Sequence, residues 1–234
     1  MSSFYNNRRN SQHYLKMIKL SPSTLNLFKE CPKCFYLQII KNEKRPDTPF
    51  PSLPNGMDKI LKEHFDRFLD KNQLPPEIKE ECKDCQLYNN KEKLSIWRSN
   101  FKGIQYTDKE SGIILRGAVD NILKKGNKLI VLDYKTRGYP LKEDTHTYYI
   151  LQMDLYNFLL RKNNYETEDY TYLLFYYPNK VLETGEVIFD TKLIKIKTDP
   201  KRGEKVFKEA IKLLQKDEIP EASPNCGFCK LRGK

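Results

Sequence analysis

The spacing of apolar residues divides the chain into a helical first part and a strand-rich middle part. Hydroxyl residues from Ser21 onward precede apolar positions at helical spacing, which predicts a helix reaching about residue 40. A second helix is predicted at about 57–71. Residues 111–138 contain two apolar runs joined around Gly126-Asn127, a dipeptide typical of a β-hairpin.

The second half of the chain predicts further alternating elements. The pattern indicates a helix at 145–163, strands at 169–179 and 186–198, and a last helix at 200–214. The resulting order is helix–helix–strand–strand–helix–strand–strand–helix. We therefore expect a single α/β or α+β domain with a central mixed β-sheet flanked by helices.

The length of 234 residues suits one domain with a substantial core. We expect this domain to span 18–234, after a flexible basic tail at 1–17. A polar, Lys-rich insert at about 72–100 has no pattern that predicts an element. No apolar run approaches the roughly 18 residues of a membrane helix, and the first residues lack the apolar segment of a secretory signal. These features predict a cytoplasmic location.

Charge adds a candidate partner. The 42 Lys and Arg residues outnumber the 31 Asp and Glu residues, which gives a formal net charge of +11. Such an excess suits a polyanion such as DNA, because Lys and Arg neutralise phosphates and release counterions. A Lys-rich composition without a ligand is the alternative, since charge alone does not identify a partner.

The candidate chemistry lies in the predicted hairpin. Residues two apart on a strand point to the same side of the sheet, so Asp133 and Lys135 should face one way and Tyr134 the other. Asp120 comes from the first apolar run and should lie beside them. Two carboxylates suit a divalent metal for phosphodiester cleavage, with the Tyr134 carbonyl as a further ligand and Lys135 near the water or the phosphate.

A helix after the hairpin adds polar side chains. Gln152 and Tyr156 lie four apart on the predicted helix at 145–163 and therefore share one face. Both can bind a phosphate or an unpaired base, and tyrosine can stack on a base. Gly117, close to Asp120, is expected to let a ligand approach the backbone.

The segments RGAVD, LDYK and QMDLY resemble the GxxD, DxK and QxxxY motifs of the PD-(D/E)xK nuclease superfamily, RecB-like branch. SPSTLNLFKECPKCFYL is similar to the start of such domains, as in CRISPR-associated RecB-like exonucleases and the AddB nuclease domain. The resemblance implies a restriction-endonuclease-like fold and Mg²⁺ or Mn²⁺ as cofactor. By the same resemblance Asp120, Asp133 and Lys135 are catalytic, and Gln152 and Tyr156 position the substrate.

One position departs from the family pattern. Many members place a metal-binding histidine four residues after a glycine, and that position, counted from Gly56, is Ile60 here. We expect His64, one turn later, or Glu63 to act as the metal ligand in its place. The alternative for His64 is a helix-surface histidine beside Phe65.

Two Cys-x-x-Cys pairs lie near the ends of the chain, Cys31 with Cys34 and Cys226 with Cys229. Two such pairs can make a closed four-sulfur metal site, as expected in a reducing compartment. The resemblance implies a four-iron four-sulfur (4Fe-4S) cluster. Relatives supply one cysteine from the first side and three from the second, whereas this chain offers two and two, so zinc and no metal stay as alternatives. A third pair, at 82 and 85, is left outside the predicted site.

Together these features favour a metal-dependent deoxyribonuclease, exonuclease rather than endonuclease, acting at ends or on single strands. DNA repair, recombination and CRISPR adaptation are the processes that the resemblance implies. The alternatives are an inactive nucleic-acid-binding module and a protein that docks on a helicase. A phosphate-binding GxxxxGK[ST] loop is absent from the sequence, so any motor must be a partner helicase.

Overall fold

The computed structural model describes residues 18–46 and 51–232. The predicted tail at 1–17 lies outside the described residues. The described chain forms a single α/β domain whose sheets are flanked by helices, which confirms the predicted fold class. No helix in the described ranges is both long and apolar enough to cross a membrane.

The first predicted helix is two helices. After the short strand β1 (Lys19–Leu20), α1 spans Pro22–Glu30 and α2 spans Pro32–Ile40. The Ser21 hydroxyl accepts a hydrogen bond from the Thr24 N–H, and Thr24 Oγ1 accepts one from the Ser21 N–H, so a capping box starts α1. The prediction missed the break at Cys31-Pro32. Proline lacks an N–H and clashes with the preceding turn, and it therefore starts a new helix.

The next helix, α3 (Ser52–Asp70), begins earlier than the predicted residue 57 and buries Leu61, Phe65 and Leu69. The polar insert at 72–100 is a folded part of the domain. It contains α4 (Pro76–Lys79), β2 (Gln86–Leu87) and α5 (Lys91–Arg98). A few apolar residues of the insert are buried in the core, among them Ile78, Leu94 and Trp97. Because their spacing is irregular, the sequence pattern did not predict these elements.

Two sheets form the centre of the domain. The three-stranded sheet has the order β1–β4–β3, with β3 at Ile104–Thr107 and β4 at Ile114–Gly117. The five-stranded sheet contains β2, β5 (Asn121–Lys125) and three longer strands. These are β6 (Lys128–Thr136), β7 (Tyr170–Val181) and β8 (Val187–Lys197), in the order β2–β5–β6–β7–β8. Only the β6–β7 pair is parallel in this sheet, so the sheet is mixed as predicted.

The hairpin is confirmed, with a change in its first strand. Gly126 adopts a positive φ of 55° between β5 and β6, as a tight hairpin turn requires. The first apolar run, expected to be one strand, is broken after Gly117: β4 belongs to one sheet and β5 to the other. Asp120 therefore lies in a bend that connects the two sheets.

The remaining helices cover the sheets. A 3₁₀ turn (Thr145–Tyr149) leads into α6 (Ile150–Lys162), whose residues 153–160 are all buried, and α7 spans Pro200–Leu214. Asp154 of α6 accepts hydrogen bonds from the Asp199 N–H at 2.7 Å and from Arg202 Nε at 2.5 Å. This contact fixes α7 against α6. A short helix, α8 (Gly227–Arg232), ends the described chain.

Candidate active site and cysteine cluster

Asp120 and Asp133 meet at the point where the two sheets separate. The Tyr134 N–H donates a hydrogen bond to Asp120 Oδ2 at 2.9 Å, which holds the carboxylate against β6. Arg98 donates from Nε to the Asp120 carbonyl oxygen at 2.8 Å and from Nη1 to both carboxylate oxygens of Asp66. The backbone of the bend is therefore fixed on both sides of the Asp120 side chain.

Lys135 lies on the same side of β6 as Asp133. Its ammonium group forms an ion pair with Asp133 Oδ2 and lies 4.8 Å from the centre of the Tyr149 ring. Tyr134 points to the other side, where its ring packs against Phe65 and its hydroxyl accepts a hydrogen bond from Asn121. The alternation expected from the sequence is confirmed.

The electrostatics of the site set Asp133 apart. Burial raises the pKa of Asp133 to about 7; the Lys135 ammonium opposes this shift, and the negative charge of Asp120 adds to it. Burial lowers the pKa of Lys135, but Asp133 and Asp120 more than offset that effect, so its pKa lies above the usual value. Lys135 is therefore a cation at neutral pH, next to a carboxyl group that exchanges its proton in that range.

Helix α3 contributes two side chains that the sequence analysis did not identify. Lys62 Nζ lies 3.2 Å from Asp120 Oδ1 and 2.7 Å from Asp58 Oδ2. Asp58 and Lys62 are one helical turn apart, so they share the face that looks toward the site. The i, i+4 spacing of Asp58 and Lys62, shortly after Gly56, is the sequence feature that could have indicated their role. A lysine ammonium between two carboxylates occupies a position that favours a cation.

His64 does not join these residues. Its Nε2 lies 2.8 Å from Glu77 Oε1, and its ring packs edge-on against Phe65 and Phe68. Tyr176 also donates a hydrogen bond to Glu77. His64 follows Lys62 by two positions, which on a helix turns it about 200° away from the Lys62 face. Among the described residues no contact places His64, or its alternative Glu63, beside Asp120. The metal-ligand role of either residue stays a prediction.

Gln152 and Tyr156 lie together as expected. Gln152 Nε2 donates a hydrogen bond to the Tyr156 hydroxyl at 2.7 Å. Burial raises the pKa of Tyr156 well above its usual value, with the charges of Asp133 and Asp120 adding to the effect. Gly117 has a different role from the expected ligand approach: a Cβ there would lie 2.8 Å from carbon atoms of Tyr156 and Leu159. The glycine makes room for the tyrosine ring.

A cavity of about 280 Å³ opens beside these residues. Gln152 and Tyr156 line one side of the cavity, and Arg116 lines another. The hydroxyl residues at the start of α1, Ser21 and Ser23, complete the wall. Hydroxyl, amide and guanidinium groups line this cavity, and groups of these types hydrogen-bond to phosphates. The sequence analysis did not identify Arg116, although it begins the RGAVD motif.

The carboxylates fit the metal that the family implies. Asp120 and Asp133 offer oxygen ligands, which Mg²⁺ and Mn²⁺ prefer. The two carboxylates already attract two ammonium groups, those of Lys62 and Lys135, so the position is strongly cation-favouring. The Tyr134 carbonyl stays a prediction as a further ligand.

The two Cys-x-x-Cys pairs come together as predicted. The four sulfur atoms of Cys31, Cys34, Cys226 and Cys229 all lie within 4.8 Å of one another. Burial raises the pKa of the Cys31 thiol, but hydrogen bonds from the backbone of Cys34 and Ser223 outweigh it and lower the pKa to about 6. Burial raises the pKa of Cys229 to about 12. Four sulfur atoms this close together form a candidate metal site.

The third cysteine pair lies apart from this cluster. Cys82 and Cys85 are both buried in the main hydrophobic core, and burial raises their pKa values to about 12 and about 11. Neither belongs to the four-sulfur group that the described residues form. Their exclusion from the predicted site agrees with this position.

Comparison with models of protein families places this arrangement in a known family. The sequence profile of the PD-(D/E)XK nuclease superfamily matches residues 19–233, which is nearly the whole chain. No curated protein matches the sequence. The matched range includes the carboxylate pair, Lys135, the cavity and the four clustered cysteines. The chain belongs to the PD-(D/E)XK nuclease superfamily.

Proposed function

We propose that this protein is a metal-dependent DNA nuclease of the RecB-like branch that hydrolyses phosphodiester bonds at ends or on single strands. The observation that carries the proposal is the group formed by Asp120, Asp133 and Lys135. Two carboxylates and a lysine ammonium lie together on one side of β6, beside a cavity lined by phosphate-binding groups. A nuclease superfamily suggests metal-dependent cleavage of nucleic acid, and the proposal extends this to DNA.

Each side chain has a role in this proposal. Asp120 and Asp133 would hold the divalent cation, which would neutralise charge on the phosphate and lower the pKa of a bound water. Lys135 is protonated at neutral pH, so it stabilises the negative charge that develops on the phosphate oxygens instead of accepting a proton. Because the pKa of Asp133 is about 7, cation binding has to displace a proton from a fraction of the molecules at neutral pH.

The cavity positions the substrate. Arg116 supplies a positive charge, while Gln152 presents an amide group held by its hydrogen bond to Tyr156. The excess of basic residues assists the approach of a polyanion. We propose exonuclease rather than endonuclease action, and a role in DNA repair, recombination or CRISPR adaptation, on the resemblance of the motifs to RecB-like nucleases. A helicase partner has no support among the described residues.

The test is cleavage of end-labelled and internally labelled DNA, single- and double-stranded, with Mg²⁺, Mn²⁺ or EDTA. Lys135→Ala is the test variant, and Lys205→Ala is the matched control, because Lys205 is an exposed lysine of α7. Both variants lose one positive charge, but only the first changes the site. We expect metal-dependent cleavage that Lys135→Ala lowers by at least about 100-fold and Lys205→Ala leaves nearly unchanged.

The two labels separate the modes of cleavage. Early release of the end label without internal fragments indicates an exonuclease, whereas internal fragments indicate an endonuclease. Equal cleavage by wild type and Lys135→Ala would show a contaminating nuclease and remove the support for this site. DNA binding without cleavage, from folded protein under all metal conditions, would favour the inactive binding module.

A further inference from the structure

We propose that Cys31, Cys34, Cys226 and Cys229 hold one tetrahedral zinc ion, and that this site has no room for an iron–sulfur cluster. The inference rests on the sulfur positions and is independent of the proposed nuclease activity. It concerns the part of the molecule where the two ends of the domain meet.

The distances between the sulfur atoms match a single ion. Cys34 Sγ lies 3.4 Å from Cys229 Sγ and 3.7 Å from Cys226 Sγ, and Cys31 Sγ lies 3.8 Å from Cys229 Sγ. All six sulfur–sulfur distances are at most 4.8 Å. For comparison, the centre of a regular tetrahedron with edges of about 3.8 Å lies about 2.3 Å from each corner, which is the usual Zn–S bond length. The four thiols therefore surround a space of the size that one zinc ion fills.

The same distances do not fit a four-iron four-sulfur cluster. In that cluster each cysteine binds a different iron, and the four irons and four sulfides lie between the cysteine sulfurs. Sulfur atoms 3.4–3.8 Å apart are already in van der Waals contact, so eight further atoms have no place between them. A cluster would require the two cysteine pairs to move apart.

Both cysteine pairs are presented in the same way, at the start of a helix. Cys31 is the N-cap of α2, with Cys34 in the first turn, and Cys226 directly precedes α8, with Cys229 inside it. The backbone groups of Cys34 and Ser223 hydrogen-bond to the Cys31 sulfur. Two similar pairs close four positions and leave none for a substrate, which is typical of structural zinc.

Arg45 completes the surroundings of the site. Four thiolates around Zn²⁺ carry a net charge of −2, so a nearby positive charge stabilises them. Arg45 Nη2 donates to Cys226 Sγ at 3.5 Å, and Nη1 forms an ion pair with Glu30 at 2.6 Å. The guanidinium also lies 6.0 Å from the centre of the Phe228 ring. Arg45 therefore contacts both Glu30 of α1 and Cys226, the residue before α8.

A zinc ion at this site would connect the first and last parts of the domain and would not respond to oxidation or reduction. The ion ties α2 to α8 across 192 residues, from Cys34 to Cys226. Helix α2 directly follows α1, whose first residues line the cavity of the proposed active site. Zinc has no redox chemistry in proteins, so we expect metal content and stability to be the same after aerobic and anaerobic purification.

The first test is elemental analysis of the full chain, produced in medium with both zinc and iron and purified with and without oxygen. We expect one zinc per chain, iron at background and no visible absorption. Replacement of the zinc by Co²⁺ should give the intense absorption of a tetrahedral cobalt–thiolate site. Four irons with inorganic sulfide in the anaerobic preparation, or folded protein without metal, would overturn the proposal.

Two variants make the assignment specific. Cys226→Ala removes a proposed ligand, and Cys85→Ala removes a thiol of similar burial in the core (3% and 6% exposed). We expect Cys226→Ala to lose zinc, and Cys85→Ala to keep one equivalent. A chelator should lower the Tm of Cys85→Ala and of wild type, but not that of Cys226→Ala. Zinc retained by Cys226→Ala would refute the ligand set, and if this variant fails to fold, metal content of the wild type decides by itself.

Discussion

Replacement of Asp133 by asparagine keeps the shape of a buried side chain and removes its charge. In the folded, metal-free protein Asp133 has a pKa of about 7, raised from 3.8 mainly by burial. Below 3.8 the carboxyl is neutral in both the folded and the unfolded states. Between 3.8 and about 7 only the folded state keeps the proton, so stability falls as the pH rises through this window. Asparagine has no such pH dependence.

The magnitude follows from the shift. A difference of roughly 3 pKa units corresponds to about 4 kcal/mol, which is the most that ionised Asp133 costs the metal-free protein above pH 7. This value already includes the attraction of Lys135, because Lys135 contributes to the pKa. Removal of this charge therefore stabilises the variant. The asparagine amide makes poorer hydrogen bonds than the carboxyl group, which costs about 1–3 kcal/mol and reduces that stabilisation. A net stabilisation of about 1–3 kcal/mol is left, or a Tm increase of several degrees.

The assay is thermal unfolding of wild type and Asp133→Asn in EDTA from pH 4 to pH 8. The Tm advantage of the variant should grow with pH and level off above about 7. Mg²⁺ or Mn²⁺ should then raise the Tm of wild type at pH 8 and leave that of the variant unchanged, because the variant lacks a proposed metal ligand. A lower Tm for Asp133→Asn at pH 8 in EDTA, or an advantage independent of pH, would refute the reasoning.

Two further substitutions test the helices behind the site. Asp154→Ala removes the buried acceptor of the Asp199 N–H and the partner of the half-exposed Arg202. It should cost about 1–3 kcal/mol, measured as a lower midpoint of urea unfolding, and a loss below about 0.5 kcal/mol would show that α7 docks without this contact. Gly117→Ala places a Cβ 2.8 Å from a Tyr156 carbon atom, and it should cost about 1–3 kcal/mol and displace that ring. It should lower cleavage more than Gly56→Ala, because a Cβ at Gly56 meets no described atom within 4 Å beyond its own helix and chain neighbours. Equal cleavage by the two glycine variants would contradict the close fit at Tyr156.

The sequence was sufficient for the main features of the site because they depend on local periodicity. The two-residue repeat of a strand puts Asp133 and Lys135 on one side, and the helical repeat puts Gln152 and Tyr156 on one face. Gly126-Asn127 fixes the β5–β6 register, which brings Asn121 opposite Leu132 and so places Asp120 near Asp133. The Cys-x-x-Cys spacing occurs three times in the chain, and the resemblance to RecB-like domains favoured the two pairs near its ends.

Helix ends and the insert were harder to predict. A proline inside an apolar pattern divides α1 from α2, and the periodicity of the pattern continues across the break. The insert at 72–100 buries few apolar residues for its length, so its sequence looks like a solvated segment. These residues are ordered because β2 pairs with β5 and the buried side chains of the insert pack in the main hydrophobic core.

Which side chains reach the site was decided by tertiary structure. Lys62 and His64 are two residues apart on one helix, and the sequence favoured the histidine because of its chemistry. The orientation of α3 is set by Leu61 and Phe65, which pack into the core; this rotation turns Lys62 toward Asp120 and His64 toward Glu77. The positions of Arg116 and Gly117 next to the site likewise depend on how α6 packs against β4.

The chain by itself thus determined most of the helices and strands outside the insert and the acidic pair with its lysine, since each follows from spacing along a strand or a helix. The choice of the cysteine pairs also needed the resemblance to related domains. Only the tertiary structure decided the rotation of α3, the role of Gly117 and the spacing of the four sulfur atoms. These depend on how separate elements pack against one another, and packing is set by contacts between residues far apart in sequence.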